Sequence, residues 1–369
     1  MRTLTWQRPR TGRWLGALAG ALLLLAGCGT AAVPPAAAPP GTSGASGSPS
    51  PAAWTHVVGN LDGPINVTAL TEGPTGTLYV GTAGQGVLTV SHGHWRGLGP
   101  QVDLVSRTIR SLAILGPGRV VAGTSQGAFE YQDGRWTALV GSSPGPGVVL
   151  AYGDIPVYSV VALVSPHGHI TVGGYPPGNV SVNSASDGFG GVWQYRHGQW
   201  VALGHLGHTP TSMVYMPSGA LVVGTHQGVW TYTRAGGWHA LGAFPVSAVV
   251  VTALAATVGG HVLAAVSESA GTVYGLDEYV GGYWASRTSY WSQFPSPPRI
   301  QALAVNRRTG VVAVGTAASG VWEDNGNTWS QAGPQRSLMV TSSVQALYVA
   351  RDGTIWAGTP AGLWRLPPP

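Results

Sequence analysis

The chain has 369 residues and is rich in glycine and aromatic residues, with 57 Gly, 15 Trp and 13 Tyr, whereas only 8% of its residues are charged. This composition excludes a long-helix protein and a mainly disordered chain, and it favours many short strands joined by glycine turns. Without the four arginines near the N-terminus, the chain has 14 basic and 13 acidic residues, a net charge of +1. The remaining basic residues form no basic stripe along the sequence. A nucleic-acid partner is therefore excluded.

Residues 1–27 have the pattern of a signal peptide. Four arginines within the first 13 residues form a basic start, and "WLGALAGALLLLAG" at 14–27 is an apolar stretch too short for a comfortable membrane span. The motif "LAGC" at 25–28 resembles the lipobox of bacterial lipoproteins, which implies cleavage before Cys28 and lipidation of its thiol. An ordinary signal peptide, or a start-anchor helix with an incidental cysteine, is the alternative.

The rest of the chain divides into a tether and one repetitive domain. Residues 28–53 carry the single cysteine, followed by a Pro, Gly and Ser-rich segment without aromatic or charged residues, which predicts a flexible linker. Because Cys28 is the only cysteine, residues 54–369 contain no internal disulfide. The stability of this domain must therefore come from packing.

A glycine-threonine pattern repeats through residues 54–369. Five clear copies include "GTLYVGTAGQGVLTVSHGHWRGL" from Gly76 and "GTIWAGTPAGLWRL" from Gly353, and two weaker copies start at Gly168 and Gly260. An apolar stretch precedes each copy, with reference positions 40 to 51 residues apart at Leu70, Leu112, Leu163, Val214, Leu254, Leu303 and Leu347. Four strand-like stretches in such a period are typical of a β-propeller blade. The sequence therefore predicts an all-β fold, a seven-bladed β-propeller in which Gly-Thr ends each second strand and aromatics fill the space between blades.

The two ends of the domain predict how the ring closes. The seventh unit stops at Leu366 after three strands, whereas "AWTHVVG" at 53–59 reads like the outer strand "RWTALVG" at 135–141 of the second unit. We expect this N-terminal strand to complete the last blade, so that the ring has no free edge.

The stretch "EDNGNTW" at 323–329 resembles the Asp box of sialidases. It falls between the third and fourth strands of the sixth unit, where Asp324 and Gly326 suit a tight hairpin turn and Trp329 can pack back over it. The resemblance implies a fold-stabilising turn on the face opposite an active site.

Sialidase catalysis requires more than this turn. Enzymes of that family use three arginines, a tyrosine nucleophile paired with a glutamate, and an aspartate acid/base. This chain offers Arg110 and Arg299 near its inner strands and no clear third arginine. The sequence therefore argues against a catalytic sialidase.

The units as a whole resemble non-catalytic propellers. Repeats such as "GTIWAGTPAGLWRL" are similar to those of two-component-regulator-type propellers, and residues 54–366 also resemble the sialidase-like assembly factors of photosynthetic membranes. This resemblance implies an extracytoplasmic domain that binds a protein partner. Propellers host many unrelated activities, so the fold is better specified than the function.

Two histidine pairs have a spacing that could hold a metal ion: His92 with His94, and His167 with His169. Each pair flanks a glycine in a predicted hairpin turn, and no third ligand lies near in sequence. We therefore expect no metal site and no cofactor. A propeller lyase that uses His, Glu and Mg²⁺, like the streptogramin lyases, stays open as an alternative, with His226 as its candidate histidine.

Three irregular segments interrupt the units, at 140–158, 175–191 and 286–298. Each follows an even-numbered strand, so we expect all three on one face. Their aromatic and polar residues suit a protein or carbohydrate ligand and are Tyr152, Asp154, Tyr175, Asn179, Asp187, Phe189, Tyr290, Trp291 and Phe294. Gln85, Gln126 and Gln227 occupy equivalent turns on this face and are expected to rim the channel. The alternative is that these loops merely cap the end of the propeller.

Together these features predict a monomeric propeller, lipid-anchored on the outside of the bacterial cell membrane. Its expected role is a non-catalytic scaffold, in assembly or sensing, for a protein partner or a glycan of the envelope. The alternative is a hydrolase or lyase acting on glycan or a small molecule. Because acidic residues are few, folding is expected to depend little on pH.

Overall fold

The computed structural model describes residues 52–57, 64–104, 106–124, 126–139, 158–165, 167–175, 191–206, 208–244, 249–268, 274–287, 299–306, 308–324, 328–333 and 343–368. These residues form seven four-stranded antiparallel sheets, together with a short 3₁₀ helix at Gln101–Asp103. In this part of the chain no helix is long and apolar enough to cross a membrane. The architecture is the predicted seven-bladed β-propeller.

In blades 1 to 6 the strands follow one another in chain order from the central channel outward, and in blade 7 β1 lies outside β26, β27 and β28. Blade 1 contains β2 (Val67–Glu72), β3 (Leu78–Thr82), β4 (Val87–Ser91) and β5 (His94–Gly97), and blade 2 contains β6 (Ile109–Gly116), β7 (Arg119–Thr124), β8 (Gly127–Gln132) and β9 (Arg135–Ala138). Blade 3 contains β10 (Tyr158–Val164), β11 (Ile170–Tyr175), β12 (Gly191–Arg196) and β13 (Gln199–His205), and blade 4 contains β14 (Pro210–Tyr215), β15 (Leu221–Thr225), β16 (Gly228–Thr233) and β17 (Gly237–Ala240). Blade 5 contains β18 (Val249–Ala256), β19 (Val262–Glu268), β20 (Tyr274–Val280) and β21 (Tyr283–Ser286), and blade 6 contains β22 (Ile300–Val305), β23 (Val312–Thr316), β24 (Val321–Asp324) and β25 (Trp329–Gln331). Blade 7 contains β26 (Ala346–Val349), β27 (Ile355–Thr359), β28 (Gly362–Leu366) and β1 (Thr55–His56).

The ring closes as the sequence predicts. β1 pairs antiparallel with β28, with Thr55 opposite Arg365, so the start of the domain supplies the fourth strand of blade 7. The first strands contact one another in order from β2 around to β26, and β26 contacts β2 again. Closure therefore holds at both the inner and the outer circumference.

A tryptophan hydrogen bond explains why the N-terminal strand fits blade 7. The indole nitrogen of Trp54 donates to the carbonyl of Ala332 in blade 6 at 2.6 Å. The outer strands of blades 2 and 5 make the same contact to the blade before them, from Trp136 to Leu98 and from Trp284 to Leu241, both at 2.6 Å. The sequence likeness between "AWTHVVG" and "RWTALVG" thus reflects a shared contact between blades.

The space between blades is filled by apolar side chains, as predicted. All seven reference positions lie in first strands. Fourth-strand tryptophans are buried in several of the clusters between blades, including Trp95, Trp136, Trp284 and Trp329. These large rings fill the wider, outer part of each wedge.

The glycine of the Gly-Thr pair lets adjacent blades approach closely. A Cβ atom on Gly358 would lie 2.4 Å from Cγ1 of Val67 in the next first strand, and one on Gly224 would lie 2.5 Å from Cγ1 of Val251. Such distances are far below van der Waals contact. Glycine at this position is therefore a packing requirement between neighbouring blades.

The propeller has two distinct ends. The insertion face carries the turns between second and third strands and the connections between blades, because strands two and four both end there. The hairpin face carries the turns between first and second and between third and fourth strands. Segments 140–157, 176–190 and 288–298 lie outside the described residues, but the strands on either side of each one end at the insertion face.

Candidate functional site

Turns on the insertion face share a threonine bridge. In five blades the threonine of the Gly-Thr pair is almost fully buried, donates its hydroxyl to a glycine carbonyl across the turn at 2.9–3.0 Å, and accepts a backbone N–H at 2.8–3.2 Å. These residues are Thr82, Thr124, Thr225, Thr316 and Thr359. Each turn is therefore held rigidly by its own side chain. Sequence reasoning noted the Gly-Thr pair but missed this use of the hydroxyl.

The three predicted glutamines follow these bridges. The backbone N–H groups of Gln85, Gln126 and Gln227 donate to the bridging threonines. Gln126 and Gln227 are exposed, whereas Gln85 is half-buried and its Oε1 has no hydrogen-bond partner among the described residues. None of the three lines a described pocket, although Gln227 adjoins His226, which does.

β-Bulges place polar residues at the mouth of the channel. In six blades the pairing of the first and second strands shifts near the insertion face, which leaves extra residues on the first strand. In blades 4, 5 and 6 the extra residues are Thr211, Thr252 and Gln301. A bulge redirects the side chain at such a position. The sequence signal is a polar residue two or three places before the reference position, as in "VTAL" and "IQAL".

These residues form a pocket where the first strands of blades 4, 5 and 6 meet, here termed the mouth pocket. Its volume is about 300 Å³, and it is lined by Thr211, His226, Val250, Val251, Thr252, Arg299, Ile300 and Gln301. His226 and Arg299 are both exposed. The structure thus brings together two residues that the sequence singled out separately, whereas Arg110, in β6, does not line the pocket.

The hydrogen bonds of the mouth pocket define its chemistry. Thr211 donates its hydroxyl to Val251 O at 2.6 Å, and Thr252 donates to Ile300 O at 3.0 Å, so the lone pairs of both hydroxyls remain as acceptors. The Gln301 Oε1 accepts from Ser343 at 2.8 Å, which leaves its amide hydrogens as donors. No carboxylate lines the described pocket. The site therefore suits hydrogen bonding to a polar ligand better than acid/base chemistry between paired groups.

The two histidine pairs with a ligand-like spacing lie at hairpin turns. His92 adopts a left-handed turn conformation with φ 48°, and Gly168 between His167 and His169 has φ 77°. No group of three or more His, Cys, Asp or Glu side chains lies close enough to hold a metal ion among the described residues.

Most of the predicted insertion residues lie outside the described residues: Tyr152, Asp154, Asn179, Asp187, Phe189, Tyr290, Trp291 and Phe294, as well as Cys28 and Gly326. Tyr175 is described as the last residue of β11, at the insertion face. The interpretation of these residues as a binding face stays a prediction.

Two residues of the stretch that resembles an Asp box, Asp324 and Trp329, lie at the interface between blades 5 and 6. Asp324 ends β24 and lies opposite Trp329 at the start of β25. The buried Asp324 carboxylate accepts from Arg287 Nη1 of blade 5 at 2.5 Å, and Arg287 Nε donates to Glu278 at 2.8 Å. His261 contacts the other oxygen of Glu278, at 2.8 Å. The box carboxylate is thus engaged in an ion-pair network that joins two blades.

Two other carboxyl groups are perturbed by burial. Burial raises the pKa of Glu323, next to the Asp-box aspartate. Burial also raises the pKa of Asp277 in β20, and a hydrogen bond from Ser286 partly opposes this rise. Neither residue lines the mouth pocket, so these shifts do not indicate a catalytic acid there.

Comparisons with known proteins identify the fold. The sequence matches no family model and no curated protein. Among solved structures, the extracellular domain of a putative hybrid two component system from B. thetaiotaomicron is similar, with a TM-score of 0.64, 14% identity and coverage of 85% of this chain and 39% of that one. This chain therefore spans about two fifths of that neighbour's length.

Two smaller proteins match over almost their whole length. They are virginiamycin B lyase from Staphylococcus aureus (TM-score 0.60, 13% identity, 86% of this chain and 98% of that one) and YCF48 from Cyanidioschyzon merolae (TM-score 0.61, 13% identity, 86% and 99%). Another YCF48 structure has a bound D1 peptide. At these identities the similarity establishes the propeller fold and no activity.

Proposed function

We propose that this protein is an extracytoplasmic, lipid-anchored propeller that binds a protein partner or a glycan at its insertion face without catalysing a reaction. The observation that carries this proposal is the mouth pocket, in which His226 and Arg299 lie among hydroxyl and amide groups with no carboxylate in the described lining. The described strands on either side of the insertions also end at this face.

The N-terminal sequence supports the proposed location. A basic start, an apolar stretch and the lipobox-like motif ending at Cys28 support secretion and lipidation, and residues 29–53 would tether the propeller to the membrane. Two acyl chains on one cysteine are sufficient for stable anchoring. The extracellular sensor domains and the peptide-bound YCF48 among the structural neighbours are consistent with a binding role outside the cytoplasm.

The Asp box fits this proposal as a structural element. Asp324 and Trp329 lie opposite each other at the hairpin-face ends of β24 and β25, away from the mouth pocket, and the Asp324 carboxylate is occupied by Arg287. Gly326, with these two residues, is assigned to the box from the sequence. We assign the box to stability between blades 5 and 6.

Two observations support the catalytic alternative, a hydrolase or lyase acting on glycan or a small molecule. His226 is exposed in a turn of the mouth pocket, and a propeller lyase is among the structural neighbours. A lyase mechanism with His, Glu and Mg²⁺ would also need a carboxylate beside His226. None lies in the described lining, which favours binding over catalysis.

Affinity capture from solubilised envelopes tests the binding function. We expect the full-length, anchored chain to retain a stoichiometric partner that is lost when residues 176–190 are replaced by a short glycine turn, a change that leaves β11 and β12 intact. The matched control removes residues 35–48 of the tether and should keep the partner. A partner retained by both variants would contradict binding through the insertion face.

The mouth pocket is tested by point variants in the same assay and on glycan arrays. His226→Ala and Arg299→Gln should each weaken binding about tenfold, since each removes one polar contact. His239→Ala provides the control, because His239 is exposed on β17 of blade 4 and does not line the pocket. If the wild type converts a glycan or small molecule and His226→Ala abolishes this activity, the scaffold hypothesis is rejected in favour of the enzymatic alternative.

A further inference from the structure

The hairpin face has a groove between blades 3 and 4, here termed the blade 3–4 groove. Its volume is about 520 Å³, and its charged and polar lining comes mainly from hairpin turns and the adjacent strand ends: His167, His169, Gln194, Arg196, Tyr215 and Arg234. The groove lies at the opposite end of the propeller from the mouth pocket. A ligand bound here is therefore independent of the function proposed for the mouth.

The charged side chains that line the described groove are all basic. Between Tyr158 and Phe244 the sequence has two arginines and seven histidines but only one acidic residue, Asp187, which lies outside the described residues. No acidic residue is part of the described lining, and no ion pair among the described residues involves Arg196 or Arg234. Cationic side chains in a concave, weakly polar surface attract anions.

A hydrogen-bond chain between blades holds the guanidinium of Arg196. Its Nη2 donates to the Oε1 of Gln194, whose Nε2 donates to the Tyr215 hydroxyl at 2.8 Å. The Tyr215 hydroxyl also shares a hydrogen bond of 2.7 Å with the buried hydroxyl of Thr171. Since Gln194 is only 7% exposed, this chain fixes the orientation of Arg196 in the groove.

The same guanidinium has an unused donor. The Nε of Arg196 is buried and has no hydrogen-bond partner among the described residues. A buried N–H without an acceptor is rare and costs free energy, and it costs more when the group is charged. An oxyanion would satisfy this donor, because a guanidinium can donate two parallel hydrogen bonds to a carboxylate, sulfate or phosphate.

The titratable groups leave the groove without a negative charge of its own. Burial raises the pKa of the Tyr215 hydroxyl, so the phenol stays neutral. Burial, followed by the nearby Arg196, His167 and His197, lowers the pKa of His169. Its imidazole is therefore mainly neutral near pH 7 while the groove is empty, and a bound anion would favour the imidazolium.

We propose that the blade 3–4 groove binds small organic acids of about the size of a sugar, whose carboxylate, sulfate or phosphate group accepts hydrogen bonds from the Arg196 guanidinium. An inorganic ion would occupy little of a groove of this volume, which falls in the usual range for small-molecule sites. The half-buried Tyr232 supplies apolar surface for the body of the ligand, and Arg234 adds a second cation.

Calorimetric titration of the full chain tests this proposal with five probes: sodium sulfate, sodium phosphate, glucuronate, glucose 6-phosphate and glucose. We expect both organic acids to bind more tightly than the inorganic ions, and neutral glucose to bind much more weakly than glucuronate. Equal affinity for glucose and glucuronate would overturn the anion site. Equal affinity for sulfate and the organic acids would overturn the organic part of the proposal.

Variants identify the residue responsible. Arg196→Gln should lose roughly 10- to 100-fold in affinity for glucuronate, the effect expected for a charged hydrogen bond. Arg196→Lys keeps the charge without the planar fork and should lose less, so it tests the site even if Arg196→Gln folds poorly. Arg351→Gln, an exposed arginine on the hairpin face of blade 7, is the control and should bind like the wild type. Unchanged binding in both Arg196 variants would refute the assignment.

Discussion

Replacing Gly358 with alanine should weaken the contact that closes the ring between blades 7 and 1. The new Cβ atom would lie 2.4 Å from Cγ1 and 3.0 Å from Cβ of Val67, which is fully buried in the first strand of blade 1. Carbon atoms in favourable contact are about 3.5–4.0 Å apart, so the two blades must separate by roughly 1 Å or distort. Overpacking of this kind costs about 1–3 kcal/mol of the free energy of unfolding.

Urea unfolding, followed by tryptophan fluorescence, measures this loss. In a thermal scan it corresponds to a fall in Tm of roughly 2–10 °C. Gly84→Ala is the matched control, because a Cβ there meets no atom within 4 Å and its backbone φ is not positive. We expect this control to be neutral or slightly stabilising, since alanine restricts the unfolded chain.

A double-mutant cycle shows whether the close approach is the cause. Val67→Ala removes the Cγ atom that the new Cβ would meet, so Gly358→Ala should cost at least about 1 kcal/mol less in that background. If Gly358→Ala costs the same with valine or alanine at position 67, the reasoning from blade packing is refuted.

Three further predictions concern charge. Asp324→Asn should lower the free energy of unfolding by about 1–2 kcal/mol in urea titrations, and Arg287→Gln should then cost less than it does alone, because the two side chains share one ion pair. Asp277→Asn should stabilise the fold at pH 7. Burial raises the pKa of Asp277 in the folded state above its unfolded value of about 3.9, so the stability that the protonated carboxyl contributes is lost as pH rises through the folded-state pKa. The gain from Asp277→Asn should therefore vanish near pH 3, where the carboxyl is protonated in both states. Sulfate should raise the pKa of His169 in NMR titrations of the wild type, with tighter binding at lower pH, and a smaller rise in Arg196→Gln is expected; equal shifts in both proteins would contradict the anion site.

The architecture was predictable because each blade repeats a similar sequence pattern and the same packing contacts. Gly81 and Gly358 stand at equivalent strand positions where a Cβ would strike the next blade, so the packing requirement is written into the sequence at a regular interval. Trp54 could be assigned to blade 7 for the same reason, since its neighbours match those of Trp136. Because the units repeat, a contact between distant parts of the chain can be recognised from a short sequence pattern.

The pockets were harder to predict because they depend on positions that do not repeat. The blade 3–4 groove combines His169, Arg196 and Tyr215 from three separate strands or turns, two of them in a weakly repeating unit. Its only sequence signal is the scarcity of acidic residues between Asp154 and Glu268, which becomes informative once the blades are assembled. Likewise, the bulges that direct Thr211 and Thr252 to the mouth pocket arise from strand register, which a single sequence does not specify.

The joining of β1 to β28 has a consequence for biosynthesis. Thr55 and Arg365 are 310 residues apart, and Trp54 and Ala332 are 278 apart, yet both pairs are bonded in the finished ring. At about 5–20 residues per second, roughly 15–60 s separate the emergence of the first strand from that of its partner. Until β28 is available, blade 7 cannot be completed, and an unclosed arc of blades would leave two unpaired edges. Cellular quality control would therefore act on the unclosed arc, before the last three strands arrive.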